Sequence, residues 1–378
     1  MREFQTLKSD LNTTRLIEVD SNNLKLGDGE ITVKIEKFSF TSNNVTYGVA
    51  GDLIGYWDFF PSSDNTKNEW GCIPMWGFGR IIQSKNDALS IGERLFGYFP
   101  PSENLNLNPI KISKENFIDG KSHRSELPPV YNNYIRLSGE KNYDSEMDNI
   151  RALLFPLHIT AFCLCDTLLD QSYLEASQII ITSASSKTAI GLAQGLSEDI
   201  QIEKITKGEL FNTPKIIGLT SSGNLDFVKS LGCYDEVITY NNLDEVNSNL
   251  GSVIVDMAGN QKILNNLYKS LNNNMFKCLT VGMTHWDSMK STNDVSSESI
   301  AKDRTEFFFA PSHIQKRISD WGHEGYNNKT HSFMNSRAMQ SKEWMDIKEI
   351  KGLDSFISTY SNIVMGKINP NEGIIVTL

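Results

Sequence analysis

Residues 178–189 read QIIITSASSKTA, an apolar run of strand length that ends in a turn of small residues. Similar apolar runs recur downstream, separated by segments with helical spacing. Short apolar runs that alternate with helices are typical of strands covered on both faces. The pattern therefore predicts an α/β fold with a doubly wound parallel sheet. The strands predicted for this sheet are Gln178–Thr182, Lys215–Thr220, Glu236–Thr239, Ser252–Asp256, Cys278–Gly282 and Glu306–Phe309.

The chain before residue 150 has a different pattern. Short β-rich runs at Ile31–Ile35, Gly79–Ile82 and Arg94–Phe99 are punctuated by Gly, Asn and Pro, which favours a mostly antiparallel barrel or sandwich. Residues 101–149 are polar and irregular in sequence, so we expect surface excursions there. The change of pattern predicts a domain boundary near residue 150, and Glu372–Leu378 is predicted as a last strand.

The composition excludes several classes of protein. The chain has 378 residues, 39% of them hydrophobic and 22% charged, as in a folded globular protein. Its 36 Lys and Arg against 46 Asp and Glu give a net charge of −10, which argues against a nucleic-acid or anionic-membrane partner. Apolar stretches such as Phe155–Cys165 fall short of the roughly 18 residues of a membrane span. The charged start at Arg2 and Glu3 indicates no export signal, so a cytoplasmic location is expected.

The turn after the first strand of the parallel sheet carries side chains suited to phosphate. Its hydroxyls belong to Ser183, Ser185, Ser186 and Thr188. Hydroxyl groups donate to phosphate oxygens, and Lys187 adds a positive charge at the start of a helix. A second interpretation stays open, in which these hydroxyls only cap the helix and Lys187 points into water. The absence of glycines before Lys187 excludes a P-loop that binds a nucleoside triphosphate.

Several segments follow an order known from one superfamily. Pro156–Phe162 precedes the strand at Ile179, where that superfamily has the helix that enters its cofactor domain. Phe227–Tyr240 resembles the stretch of that superfamily in which a helix ends at Leu-Gly before a short strand that ends in Tyr. Val255–Gly259 and Val281–Met283 resemble its next two strand ends, and Met365–Ile368 resembles its closing strand. In these features the chain resembles the medium-chain dehydrogenase/reductase superfamily, specifically its zinc-free, quinone-oxidoreductase-like branch.

A more specific resemblance is to a bacterial and fungal family of unknown function that is related to these reductases. It rests on Ile181–Ala189 and on Glu306–Pro311 followed by Asp320–Gly322. This resemblance supplies no reaction.

The superfamily resemblance implies a Rossmann doubly wound sheet together with a GroES-like β-barrel. Residues 1–153 would form the barrel, which is the catalytic type of domain. Residues 154–314 would form the nucleotide-binding Rossmann domain, and residues 315–378 would return to the barrel.

The resemblance also implies how a dinucleotide would bind. The three glycine positions of the superfamily fall on Ser183, Ser186 and Ala189, which are all small, so the helix can still pack closely on the sheet. Thr160 would contact the nicotinamide ribose, although a Thr at a helix start is also a common cap.

The end of the second strand favours NADP(H). No Asp or Glu follows Thr220 to hold the ribose hydroxyls of NAD(H). Ser221, Ser222 and Asn224 would instead donate to a 2′-phosphate, or would simply form a turn. The cofactor-binding residues that the resemblance implies are Thr160, Ser183, Ala184, Ser185, Ser186, Lys187, Thr188, Ser221, Ser222, Asn224, Tyr240 and Gly282.

No metal site is expected. Zinc members of the superfamily need an early Cys, a Gly-His-Glu and a four-Cys lobe. The corresponding segments here are Ser42–Tyr47 and Met75–Gly79, which contain none of these ligands. The 5 cysteines are scattered, which suits reduced thiols better than a metal or disulfide framework.

Hydride transfer needs a dry cleft and a proton donor. Tyr47 and the preceding Asn44 are the candidate catalytic residues, because zinc-free relatives keep polar cleft residues at this position. The alternative is that Tyr47 is a core residue of the barrel. A nearby aromatic group consists of Tyr56, Trp57, Phe59 and Phe60. It can cover a flat substrate, or it belongs to the core.

The sequence thus predicts a zinc-independent, NADP(H)-dependent oxidoreductase. Its substrate would be a small conjugated carbonyl compound, enone or quinone held between the domains, and the resemblance also allows a homodimer. The alternative is a non-catalytic relative that keeps the fold as a binding or scaffolding module without nucleotide. The two differ at the turn Ser183–Ala189, which an enzyme needs for pyrophosphate.

Overall fold

The computed structural model describes residues 1–20, 25–171, 175–207, 213–281 and 303–378. The chain divides into two compact units, Met1–Phe155 with Met345–Leu378 and Pro156–Trp344. The sequence places the return to the first unit at residue 315, whereas the structure places it at Met345. The difference arises because the long helical segment Ala310–Ser341, which is kinked at Gly322, lies in the second unit.

Strands and helices are numbered along the described chain. The strands are β1 (Arg2–Leu7), β2 (Asp10–Glu18), β3 (Ile31–Phe40), β4 (Trp70–Gly71), β5 (Met75–Ser84), β6 (Arg94–Phe99), β7 (Asn104–Leu107), β8 (Pro109–Ile110), β9 (Asn116–Asp119), β10 (Asn133–Arg136), β11 (Gln178–Ile181), β12 (Lys215–Thr220), β13 (Glu236–Thr239), β14 (Ser252–Asp256), β15 (Met275–Thr280), β16 (Thr305–Phe307), β17 (Asp346–Lys351) and β18 (Glu372–Thr377). The helices are α1 (Ser42–Val49), α2 (Gly51–Ile54), α3 (Asp148–Asp170), α4 (Lys187–Lys207), α5 (Leu225–Ser230), α6 (Gln261–Leu271), α7 (Ala310–Ser341) and α8 (Gly352–Val364).

The second unit contains the parallel sheet, in the order β13-β12-β11-β14-β15-β16. All of its paired neighbours run parallel. Ile180, Ile217 and Ile254 lie on its central strands and are buried in one core, because strands covered by helices have no face for polar residues. The prediction of an α/β fold with a doubly wound parallel sheet is confirmed. The predicted strand end at Gly282 lies outside the described residues.

The first unit is built on antiparallel pairing. Its larger sheet has the order β17-β18-β3-β5-β6-β10-β9-β8, with β7 also paired to β3, and a smaller sheet has the order β2-β1-β4. The pair β17 and β18 is parallel, whereas the other pairs are antiparallel. Phe4, Phe40, Phe356 and Tyr360 pack against one another in its core, with ring centroids 5.0 to 5.7 Å apart.

Residues 101–149 differ from the predicted surface excursions. They contain β7 to β10, and the Tyr131 and Tyr134 rings are buried. Arg124 is buried as well and pairs with Asp119 at 2.7 Å. Because the apolar groups here are aromatic and are separated by polar residues, no periodic apolar run marks the region in the sequence.

Helix α3 is long and largely apolar. By length and composition the segment Ser145–Asp170 is long enough to cross a membrane. However, 67% of the most apolar stretch of this segment is buried inside the protein, as in the core helix of a globular protein. The interrupted apolar stretch at Phe155–Cys165 is part of this continuous helix, and Pro156 lies within it.

Candidate functional site

The turn after β11 adopts a left-handed backbone at Ser183, where φ is 51°. Glycine is the usual residue for this conformation, because a side chain makes it costly. The Ser183 N–H donates to the Tyr240 hydroxyl at 2.8 Å, and the Ala184 N–H donates to the Leu219 carbonyl at 2.9 Å. Leu219 lies on β12, and Tyr240 comes directly after the neighbouring strand β13. The structure therefore brings together two predicted cofactor residues, Ser183 and Tyr240.

Close packing at this turn depends on small residues. Ala184 and Ala189 are fully buried. A Cβ atom at Gly218 on β12 would lie 2.9 Å from Tyr234 Cδ1 and 3.0 Å from Ala184 Cβ. The Tyr234 hydroxyl also donates to the Ala184 carbonyl at 2.9 Å. The turn is thus packed directly on the sheet, as a phosphate-binding turn requires.

Helix α4 begins at Lys187 and is capped by Ser186. The Ser186 hydroxyl accepts a hydrogen bond from the Ala189 N–H at 3.3 Å, and the Ser186 N–H donates to the Ser183 carbonyl at 2.8 Å. This is the capping arrangement that Ser favours at a helix start. Lys187 and Thr188 are the first two residues of the helix and are half-buried.

The end of β12 brings a second pair of predicted residues together. The Asn224 side-chain amide donates to the Ser185 hydroxyl at 3.0 Å. Ser221 and Ser222 are exposed. Thr220 is 1% exposed, and its hydroxyl has no hydrogen-bond partner within the described residues. No acidic side chain occurs here before Asp226.

Asp256 at the end of β14 is a residue that the sequence interpretation missed. It is buried, and its carboxylate accepts from the Thr182 hydroxyl at 2.5 Å and from the Gly259 N–H at 2.9 Å. The Thr182 hydroxyl in turn accepts from the Met257 N–H at 2.9 Å. These bonds fix the carboxyl ends of two neighbouring strands. The sequence carries a signal for this contact: a Thr at the end of one predicted strand and an Asp at the end of another, which a parallel sheet brings to the same edge.

The predicted cofactor residue Thr160 is not placed at this turn. Thr160 lies well inside α3, which begins at Asp148, so the interpretation of Thr160 as a helix-start cap is wrong. Its hydroxyl instead donates to the Pro156 carbonyl one turn earlier, at 2.9 Å, the back-bond that a Thr side chain inside a helix commonly makes. Gly282 lies outside the described residues.

In the first unit, Asn44 has a structural task. Its side-chain oxygen accepts from the Thr41 N–H at 2.8 Å in a capping box at the start of α1. Its amide nitrogen donates to the Pro74 carbonyl at 2.9 Å. Both polar groups of the side chain therefore hold α1, which carries Tyr47, in place.

Tyr47 belongs to a group of four tyrosines, Tyr47, Tyr56, Tyr98 and Tyr131, which we call the tyrosine cluster. The ring centroids of Tyr47 and Tyr56 are 4.5 Å apart, and those of Tyr98 and Tyr131 are 4.8 Å apart. The Tyr56 and Tyr131 hydroxyls share a hydrogen bond of 2.9 Å. Burial raises the pKa of all four phenols. They therefore remain neutral hydrogen-bond donors across the physiological pH range.

The aromatic group named from the sequence lies in the core. Trp57 and Phe59 are 4% and 0% exposed, and Tyr56 and Phe60 are buried too. Sequence inspection found Tyr47 and Tyr56 but missed Trp76, Tyr98 and Tyr131, because they come from strands and loops far apart in the chain.

Within the described residues, no group of three or more His, Cys, Asp and Glu side chains is arranged to hold a metal ion. All five cysteines are buried and unpaired, and burial raises the pKa of each thiol. Thiols in this state are poor nucleophiles and poor metal ligands.

Comparison with known proteins places the fold. No curated protein matches the chain. Among solved structures, Vibrio vulnificus CurA in complex with NADPH has a TM-score of 0.62 at 14% identity, covering 100% of this chain and 99% of that chain. A putative NADPH:quinone reductase from Bacillus thuringiensis has a TM-score of 0.58 at 14% identity, covering 100% and 98%. The yhdH oxidoreductase of Salmonella enterica in complex with NADP has a TM-score of 0.52 at 12% identity, covering 100% of both chains.

These similarities extend over the full chain and confirm the predicted fold, an α/β protein with a Rossmann doubly wound parallel sheet and a GroES-like β-barrel domain. The predicted likeness to a family of unknown function is confirmed too. One family model, described as "Protein of unknown function (DUF2855)", matches residues 38–369. That match covers most of the chain, and the protein belongs to the DUF2855 family.

Proposed function

We propose that the protein is an NADP(H)-dependent oxidoreductase that reduces a small conjugated carbonyl compound, enone or quinone without zinc. The observation that carries the proposal is the turn after β11, which keeps a left-handed backbone and close packing at the start of a 21-residue helix. Full-length similarity to oxidoreductases crystallised with NADPH or NADP supports it.

The residues of the turn fit a dinucleotide. Ser183 adopts the backbone that glycine adopts in dinucleotide sites, and the buried Ala184 and Ala189 leave the helix start close to the sheet. The positive end of the α4 dipole and the Lys187 cation favour an anion there. We propose that a pyrophosphate oxygen takes over the Ser183 N–H from the Tyr240 hydroxyl.

The end of β12 supports NADP(H) over NAD(H). An NAD(H) site needs a carboxylate for the ribose hydroxyls, and Thr220, Ser221 and Ser222 supply only hydroxyls. We propose that Ser221, Ser222 and Asn224 donate to the 2′-phosphate. Hydroxyl and amide groups bind phosphate oxygens well when no carboxylate repels them.

Tyr47 is the proposed proton donor. NADPH, when bound, supplies the hydride that the reaction requires. The Tyr47 phenol keeps its proton because burial raises its pKa, and Asn44 positions it by holding α1. The aromatic side chains around Tyr47 favour a flat, conjugated substrate. The matching segments Ser42–Tyr47 and Met75–Gly79 supply no Cys, His or carboxylate, so the proposed reaction uses no zinc.

The test is NADPH oxidation by the purified protein with a panel of enones and quinones. We expect turnover, and we expect Tyr47→Phe to lower kcat by a factor of about 10² to 10⁴, the usual contribution of a general acid. Tyr326→Phe is the matched control, because the Tyr326 hydroxyl is buried on α7 without a hydrogen-bond partner in the described chain. Equal rates for the wild type and Tyr47→Phe would remove Tyr47 from the mechanism.

One observation favours the second candidate, a non-catalytic binding or scaffolding module. The Ser183 N–H and the Ser185 hydroxyl are both engaged within the protein, by Tyr240 and Asn224. In a protein that no longer binds nucleotide, the turn would keep such internal hydrogen bonds. If neither NADPH nor NADH binds, this second candidate replaces the first.

A further inference from the structure

The side chain of Asn224 joins two parts of the proposed nucleotide site. Its amide nitrogen Nδ2 donates to the Ser185 hydroxyl at 3.0 Å. Ser185 lies in the turn between β11 and α4, where we place the pyrophosphate, and Asn224 follows β12, where we place the 2′-phosphate. The two strands are direct neighbours in the parallel sheet. One hydrogen bond therefore links the two phosphate sites.

The Asn224 side chain is not used by its own helix. Asn224 occupies the N-cap position of α5, where Asn is among the most favourable residues because its side-chain oxygen accepts from the first N–H groups of the helix. Here the side chain makes no such capping bond. It reaches instead to the turn after the neighbouring strand. A side chain that leaves its local hydrogen bond unmade indicates another task.

Ser185 has a proton left to donate. Its side chain is nearly buried, because the residue is 8% exposed. A serine hydroxyl has one proton and two lone pairs. Since the oxygen receives the Asn224 N–H through a lone pair, its own proton is available for another acceptor, and no described residue takes it. The neighbouring Ser186 hydroxyl, by contrast, caps α4 by accepting from the Ala189 N–H.

The Asn224 amide also has a donor left. A side-chain amide nitrogen carries two N–H groups. One points to Ser185, and the second has no acceptor in the part of the chain that the structure describes. Because the amide is planar, the two N–H groups point in fixed and different directions. The same nitrogen can therefore hold Ser185 and a phosphate oxygen at the same time.

We propose that Asn224 couples the two phosphate sites of NADP(H). It donates one N–H to a 2′-phosphate oxygen and the other to Ser185, whose hydroxyl donates to the pyrophosphate. This inference rests on the proposed function and names the residue through which its site recognises the 2′-phosphate twice. Toward the pyrophosphate Asn224 is a positioning residue, because it acts there through Ser185.

The coupling follows from the charge of the 2′-phosphate. A hydrogen bond to a charged group is about twice as strong as one between neutral groups, so the 2′-phosphate holds Asn224 in one orientation. A fixed Asn224 keeps the Ser185 proton directed at the pyrophosphate, and hydrogen bonds in a chain strengthen one another. NADH lacks the 2′-phosphate, so Asn224 is less restrained. Ser185 should therefore contribute more to the binding of NADPH than of NADH, although both nucleotides have the same pyrophosphate.

The test is calorimetric titration of NADPH and NADH into the wild type, Ser185→Ala, Asn224→Ala and the double variant. With Asn224 present, we expect Ser185→Ala to weaken NADPH binding by about tenfold and NADH binding by only about threefold. Without Asn224, Ser185→Ala should weaken the binding of both nucleotides by the same factor. A purely structural hydrogen bond affects both nucleotides equally. Equal effects of Ser185→Ala in the presence of Asn224 would therefore overturn the proposal.

Asn224→Asp tests the donors without changing the shape of the side chain. Asp is as good an N-cap residue as Asn, so we expect a urea midpoint close to that of the wild type. A carboxylate cannot donate to Ser185 or to a phosphate, so the preference for NADPH should be lost. The same cycle is run on Asn224→Asp if Asn224→Ala does not fold. An Asn224→Asp protein that keeps the preference would overturn the proposal.

Asn274→Ala is the matched control. The Asn274 amide is half-buried and donates to the Ser248 carbonyl at 2.8 Å. It precedes β15, at the edge of the parallel sheet opposite to the turn after β11. Its loss should leave the ratio of the two nucleotide affinities unchanged. A change in this ratio as large as that in Asn224→Ala would overturn the proposal.

The outcomes separate this inference from the proposed function. NADPH binding with equal effects of Ser185→Ala on both nucleotides would keep the proposed cofactor and overturn the coupling. Unequal effects in a protein that oxidises NADPH with no enone or quinone would support the coupling and remove the reductase. Binding of neither nucleotide would overturn both.

Discussion

At the residue scale, Ser183 combines a strained backbone with the place where a dinucleotide turn has glycine. A φ of 51° costs a residue with a side chain about 1 kcal/mol more than glycine. We therefore expect Ser183→Gly to raise the free energy of unfolding by up to about 1 kcal/mol. Urea denaturation measures it. Ser221→Gly is the control, because Ser221 has an extended backbone with φ of −73° and gains nothing from glycine.

Ser183→Gly also tests how the turn binds NADPH. A glycine at residue 183 permits closer approach of a phosphate to the backbone, so we expect Ser183→Gly to bind NADPH at least as tightly as the wild type. Weaker NADPH binding by a variant that is more stable would contradict the role proposed for this turn.

Replacing Thr182 tests the hydrogen bonds at the ends of β11 and β14. Thr182→Val keeps the shape of the side chain but removes the hydroxyl between Asp256 and the Met257 N–H. The buried carboxylate then loses one of its donors, which costs about 1–3 kcal/mol. We expect a lower urea midpoint for the second unit. Thr206→Val on the exposed end of α4 is the control, and an equal loss in both variants would refute this assignment.

Residue by residue, the sequence predicted contacts that are local and missed those that are not. Ser183, Ser185 and Ser186 could be placed because a strand, a turn and a helix start follow one another within a few positions. Tyr98 and Trp76 could not, because only the pairing of β5 with β6 brings them together. The task of Asn44 was hidden for the same reason, since its partner is the distant Pro74 carbonyl.

At the element scale, strands of the parallel sheet were predictable and some helices were not. The predicted bounds of Lys215–Thr220, Glu236–Thr239 and Ser252–Asp256 are those of β12, β13 and β14, because fully buried strands are continuous apolar runs. Helix α7 lacks such a signal. Arg317, Thr330 and Arg337 lie on its buried side, so its hydrophobic pattern does not reveal which face is packed.

His158 on α3 makes the second unit sensitive to acid. Burial and the nearby Arg337 lower the pKa of His158 from 6.5 to about 3. Between these values the unfolded chain binds a proton that the folded chain does not, so stability falls as the pH falls through that window. We expect His158→Gln to lose roughly 2 kcal/mol less than the wild type between about pH 7 and about pH 5. His331→Gln on the exposed side of α7 is the control, and urea unfolding at the two pH values measures both.

Asp199 on α4 acts in the opposite direction. Burial and the neighbouring Glu198 raise the pKa of Asp199 from 3.8 to about 6. The folded chain therefore binds the extra proton in this window, and stability is lost as the pH rises through about 6. We expect Asp199→Asn to make the loss of stability on acidification steeper than in the wild type, while Asp226→Asn on the exposed side of α5 leaves it unchanged. A shallower loss in Asp199→Asn would contradict this assignment.

At the scale of the whole molecule, the change from short punctuated strands to apolar runs predicts a boundary near residue 150. The chain divides into its two compact units between Phe155 and Pro156. The return at Met345 was missed because polar contacts hold α7 in the second unit. The Arg317 guanidinium donates to the Asp166 carboxylate on α3 at 2.5 Å, and His313 bonds the same oxygen at 2.6 Å. Ion pairs of this kind leave no apolar pattern in a sequence.

The central claim is that the second unit binds NADP(H) at the turn between β11 and α4. Calorimetric titration of the whole protein with NADPH, with NADH as the comparison, tests it most directly. We expect saturable binding of one NADPH per chain, with NADH at least about tenfold weaker, the effect of one lost charge-assisted contact. Lys187→Glu should weaken NADPH binding by a similar factor or more, because it places a negative charge at the helix start. Lys204→Glu, the same charge change on the exposed far part of α4, should have no effect. Absence of binding by both nucleotides at millimolar concentration, or equal binding by the two lysine variants, would contradict the claim.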